Sequence, residues 1–116
     1  MSGRTPYVTT DRVVEDVRTV AHQLGYAIAV HGSLRPDRDI DLIAAPWTDE
    51  ARSYRRLVKE IARIPYLWRP TSDDDTQKPH GRLGAVFHIR DRKVGCPVYV
   101  DLSVMPRRRD CGEENG

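Results

Sequence analysis

Only five residues, 34–38, separate the Gly32-Ser33 that closes one apolar segment of this chain from the start of the next. The first, residues 26–30 (YAIAV), closes on His31-Gly32-Ser33. The second, residues 39–45 (DIDLIAA), stops at Pro46. Both read as strands, and a parallel crossover needs about a dozen residues. If the two strands are neighbours, they therefore pair antiparallel. The first is nearly all apolar, which predicts a strand covered on both faces. In the second, Asp39, Asp41 and Ile43 point one way and Ile40, Leu42 and Ala44 the other.

The rest of the chain supplies two helices and two more strands. A helix is expected from Thr10 or Asp11, with Val13, Val14, Val17, Val20, Ala21 and Leu24 as its apolar stripe and Gly25 as its stop. A second, over residues 48–64, would be capped by Thr48 and buried through Ala51, Tyr54, Leu57, Val58, Ile61 and Ile64. Residues 66–80 read as a long polar loop carrying Asp73, Asp74 and Asp75. Residues 82–90 alternate as a strand, with Leu83, Ala85, Phe87 and Ile89 on one face. After a turn at 91–95, residues 97–105 form the last strand. Val98, Val100, Leu102 and Val104 share one face of it; Tyr99, Asp101 and Ser103 share the other.

This order predicts an α+β domain: a small mixed sheet of about four strands packed with two helices. A chain of 116 residues suits one domain, with residues 1–9 and 107–116 as flexible tails. No apolar run reaches the length of a membrane helix, and the N-terminus lacks the apolar core of a secretory signal. Two cysteines, Cys96 and Cys111, are too few for a disulfide framework. The expectation is a cytoplasmic protein without a membrane partner. A net charge of +2 imposes no polyanionic partner.

Two aspartates on one face of an apolar strand ask for a chemical reason. Their Cα atoms lie about 7 Å apart, and unpaired carboxylates in a covered sheet are costly. A hard divalent cation would meet them: Mg²⁺ prefers oxygen ligands and leaves part of its shell to water and phosphate. If the last strand neighbours the second, Asp101 becomes a third carboxylate. Gly32 permits close approach of a ligand to backbone, and the N–H groups after it, with the Ser33 hydroxyl, can hold phosphate oxygens. Arg35, Lys78, His80 and Arg82 can add positive charge. Phosphate cradle plus carboxylate-bound metal is the equipment of phosphoryl or nucleotidyl transfer.

In these features the chain resembles the nucleotidyltransferase superfamily of the DNA-polymerase-β type. Its mark is a strand ending in Gly-Ser, Asp-x-Asp on the next strand, and a later third carboxylate. Here these are Gly32-Ser33, Asp39-Ile40-Asp41 and Asp101. HGSL, DIDLIAAPW, KPHGR and YVDLSVMP also resemble short phage and prophage proteins. The resemblance spans residues 24–105 and implies a minimal nucleotidyltransferase-like fold. It implies Mg²⁺ or Mn²⁺ on Asp39, Asp41 and Asp101, with Asp101 also able to activate an acceptor hydroxyl. It implies an NTP held by Gly32, Ser33, Arg35, His80 and Arg82, with the acceptor on a protein, a nucleic acid or a small molecule.

One departure opens a rival. Active members usually join Gly-Ser to the first Asp by about two helical turns, and five residues make barely more than one. A catalytically degenerate protein that binds a protein partner, as a phage or toxin–antitoxin regulator does, is the alternative. A nucleic-acid-binding domain using its arginines, Arg107, Arg108 and Arg109 among them, is a third reading. An open sheet edge would also allow a homodimer. The plain readings are a solvated strand surface for Asp39, Asp41 and Asp101, an ordinary turn for Gly32-Ser33 and Asp37, a solvated loop for Asp73–Asp75, and packing for Trp47, Trp68, His22 and His88.

Overall fold

The computed structural model describes residues 9–32, 39–69, 76–77, 81–90 and 99–108. The chain forms a mixed α+β domain: two helices against a six-stranded sheet. Helix α1 (Thr10–Gln23) starts at the first of the two expected residues; Thr9 is its cap, and the Thr9 hydroxyl accepts the Arg12 N–H at 3.2 Å. Val13, Val14, Val17 and Ala21 bury its apolar stripe.

Strands β1 (Tyr26–Val30) and β2 (Ile40–Pro46) pair antiparallel, as the short link requires. After helix α2 (Tyr54–Ile61) come the short β3 (Leu67–Trp68) and β4 (Thr76–Gln77), then β5 (Leu83–Ile89) and β6 (Tyr99–Val104). The sheet order is β1-β2-β6-β5-β3, with β4 also on β5. Strand β6 lies parallel to β2 and antiparallel to β5. The two strands beyond the expected four fall inside the stretch read as a long loop. Each is two residues long, too short for any alternation to be legible.

Three further expectations need correcting. Strand β1 is covered on one face only: Tyr26 and Ile28 are buried, while Ala27 and Ala29 are exposed. The small side chains of Ala27 and Ala29 made an open face look apolar. Helix α2 begins at Tyr54, capped by Ser53, whose hydroxyl accepts the Arg56 N–H at 3.2 Å. Thr48 instead accepts the Glu50 N–H within a turn. Tertiary bonds pin residues 47–52 against the end of α1: the Trp47 N–H donates to the Gly25 carbonyl and the Arg52 N–H to the Leu24 carbonyl, both at 2.9 Å. The Tyr26 hydroxyl also donates to the Arg52 carbonyl at 2.6 Å. Finally, Arg107 is not part of a loose tail, since its guanidinium donates to the Ala51 carbonyl.

Both helices share one core with one face of the sheet. Ile40, Leu42 and Ala44 of β2, Val100, Leu102 and Val104 of β6, and Ala85, Phe87 and Ile89 of β5 all point into it. The Tyr66 hydroxyl ties the far side of this core to α1, donating to Asp16 at 2.7 Å. Burial first, and then that bond, hold the Tyr66 phenol above its usual range. No helix among the described residues is long and apolar enough to cross a membrane.

Candidate functional site

The functional candidates occupy the sheet face that the helices leave bare. Register assigns them to rows running across the strands, because directly paired residues project from the same face. In the first row Trp68 pairs with His88 and His88 with Tyr99. Asp39 follows, just before β2, its carboxylate accepting the Tyr99 backbone N–H. In the second row Val86 pairs with Asp101 and Asp101 with Asp41. His31 completes it, its N–H donating to the Asp41 carbonyl at 2.8 Å. In the third row Gly84, Ser103, Ile43 and Ala29 follow one another.

Strand pairing thus places Asp41 opposite Asp101, with Asp39 one row away on the same face. Asp41 and Asp101 are direct partners on parallel strands, with Cα atoms about 4.8 Å apart. Asp39 feels both. Its carboxyl is raised above the ordinary aspartate range, first by partial desolvation and then by the Asp41 charge; the Tyr99 N–H opposes this and Asp101 adds to it. Asp39 and Asp41 are exposed, so burial beneath helices is not the strain that a cation would relieve. Partial desolvation of Asp39 at the sheet surface comes first, and repulsion by Asp41 second. Among the described residues no three His, Cys, Asp or Glu side chains are already gathered around one point. The carboxylates are neighbours rather than a finished cage, and their all-oxygen donor set suits Mg²⁺ or Mn²⁺.

A cleft of about 280 Å³ opens beside them, lined by His31, Asp41, Ile43, Arg82, Asp101 and Ser103. Arg82 thus lines the same cleft as Asp41 and Asp101. Gly32 sits at the end of β1 with φ +83°, and a Cβ built there would meet nothing within 4 Å. Ser33, Arg35, Asp37, Lys78, His80, Asp73, Asp74, Asp75, Cys96, Val98, Arg109 and Cys111 lie outside the described residues. Sequence reasoning gave Ser103 no role in the site, and weighed His31 as a metal ligand or base without placing it beside Asp41. The parity of β6 marked Ser103 as sharing the face of Asp101; His31 needed the register of β1 on β2.

The raised Asp39 carboxyl predicts a pH effect. A carboxyl whose folded value is raised binds its proton more readily folded than unfolded. Its contribution to stability is therefore lost as pH rises through the window between the ordinary aspartate value and the raised one. Asp39→Asn removes that loss and keeps an oxygen for the Tyr99 N–H. The variant should be more stable than wild type at neutral pH, with the advantage vanishing below the ordinary aspartate range. Urea midpoints at both pH values test this; an equal shift at both would contradict the raised Asp39 carboxyl.

Trp47 and His22 form a separate feature, their rings stacked at 5.3 Å with Trp47 56% exposed. No protein-family model matches the sequence, and no curated protein is significantly similar to it.

Proposed function

We propose that the bare sheet face is a divalent-metal-dependent nucleotidyl-transfer site. The observation that carries this reading is the row His31–Asp41–Asp101 with Asp39 beside it, opening on a cleft that also holds Arg82. Asp39, Asp41 and Asp101 would hold Mg²⁺ or Mn²⁺, which when bound supplies charge neutralisation for phosphate oxygens. Arg82 orients the phosphates of an NTP, and the bare backbone at Gly32 lets them approach. Asp101 receives the proton of the acceptor hydroxyl. The acceptor oxygen bonds to the α-phosphorus as the bond to pyrophosphate breaks, so a nucleotidyl group is transferred. The minimal nucleotidyltransferase-like architecture belongs to the same reading.

Calorimetric titration of Mg²⁺ with non-hydrolysable NTPs tests it, beside an Asp39→Ala plus Asp41→Ala variant. Binding by the wild type, abolished in the variant, is the expected result. A folded wild type that binds no nucleotide would sink the reading. The short link between Gly32 and Asp39 then favours the other one: a degenerate nucleotidyltransferase-like protein that acts by binding a protein partner.

A further inference from the structure

The aromatic row next to the carboxylates has no part in the chemistry above. Trp68, His88 and Tyr99 come from three adjacent strands and stand in register on the bare face. The Trp68 and His88 rings lie 5.0 Å apart and tilted by 34°; His88 meets Tyr99 edge-on at 5.2 Å. The central histidine is wedged, while Trp68 stays 37% and Tyr99 38% exposed. Large aromatics left open on a sheet face call for an occupant with a flat apolar surface.

The surroundings narrow that occupant. Along β5 the residues on this face are Gly84, Val86 and His88, with Arg82 before them and Arg90 after. The Arg90 guanidinium lies 5.8 Å from the Trp68 ring centre. A shelf of rings edged by the Arg90 guanidinium is no apolar groove for a peptide. It matches a ligand that alternates flat bases with phosphates. Bases must be unpaired to lie on a sheet face, and three rings in a row exceed what one base can cover.

We infer that Trp68, His88 and Tyr99 form a stacking shelf for the unpaired bases of single-stranded nucleic acid, with Arg90 taking its phosphates. The shelf ends where Tyr99 donates its N–H to Asp39. In combination with the transfer reading, on which this second step rests, a strand lying there brings its terminal hydroxyl to the carboxylates as the acceptor. The binding itself does not depend on that reading.

The chain has two tryptophans, Trp47 and Trp68. A Trp47→Phe background therefore makes Trp68 the sole indole reporter. In EDTA, a short single-stranded oligothymidylate should quench its emission saturably. A hairpin duplex and thymidine monophosphate should bind much more weakly. Tyr99→Ala should weaken binding at least about 5-fold while Tyr99→Phe, which keeps the ring, restores it. Arg90→Gln should flatten the salt dependence by about one unit of slope. Absent quenching, equal affinity for duplex or mononucleotide, or a Tyr99→Ala variant that binds like wild type would each overturn the shelf. If the strand binds but metal–NTP calorimetry is blank, the shelf stands and the transfer reading falls; the reverse pair of results removes the shelf alone.

Discussion

Gly25→Ala should destabilise the domain by about 2–5 kcal/mol. Two costs combine. Gly25 has φ +91°, in the left-handed region, where a side chain costs about 1–2 kcal/mol. A Cβ there would also stand 2.7 Å from the Ala51 Cα and 2.9 Å from the Thr48 Cγ2. One of these is a backbone atom, and its segment is pinned by the Trp47 and Arg52 hydrogen bonds. Such overpacking adds about 1–3 kcal/mol. The turn from α1 into β1 and the start of α2 would have to part. Gly32→Ala is the internal comparison: its φ is +83°, yet nothing lies within 4 Å of the added Cβ. It should carry the conformational cost alone. Urea denaturation of both variants checks this, and equal losses would show that the contact between Gly25 and Ala51 is not tight. Against the roughly 5–15 kcal/mol typical of a domain, the larger figure leaves Gly25→Ala close to unfolding.

What the sequence made legible follows from periodicity. The apolar stripe of α1 and the alternation of β2, β5 and β6 each repeat long enough to be read, and the five-residue link dictated the antiparallel pairing of β1 with β2. From these came the α+β class and the shared face of Tyr99, Asp101 and Ser103. The meeting of Asp41 with Asp101 stayed conditional, since strand order depends on long-range pairing that no local pattern encodes. The start of α2 was misread because Thr48, Asp49 and Glu50 are good helix-entry residues locally. Tertiary hydrogen bonds from the Trp47 and Arg52 N–H groups to the Gly25 and Leu24 carbonyls hold that segment in another conformation. The aromatic row was invisible for a similar reason. Trp68 lies in a two-residue strand, and only its register with His88 brings three scattered rings into line.

Phe87→Ala should cost about 3–5 kcal/mol, as deletion of a fully buried phenyl ring does elsewhere. Phe87 is 0% exposed, faces the helices from β5, and pairs with Val100. The Arg69 guanidinium lies 5.8 Å from its ring centre, so the loss includes a cation–π contact as well as apolar area. Phe87→Leu refills most of the volume and should cost under about 1.5 kcal/mol plus that contact. The sharper test concerns function. The chain neighbours of Phe87 are Val86 and His88, whose partners Asp101 and Tyr99 belong to the opposite, bare face. A cavity on the helix side leaves those backbone pairings in place. At low urea, where Phe87→Leu is folded, its affinity for metal–NTP and for oligothymidylate should equal that of wild type, while its unfolding midpoint drops. The converse holds for Tyr99→Ala: weakened oligonucleotide binding with a midpoint change well below that of Phe87→Ala, since Tyr99 is exposed. Loss of binding in Phe87→Leu at full folding would mean that the two faces are not independent, and that the core sets the geometry of the carboxylates directly.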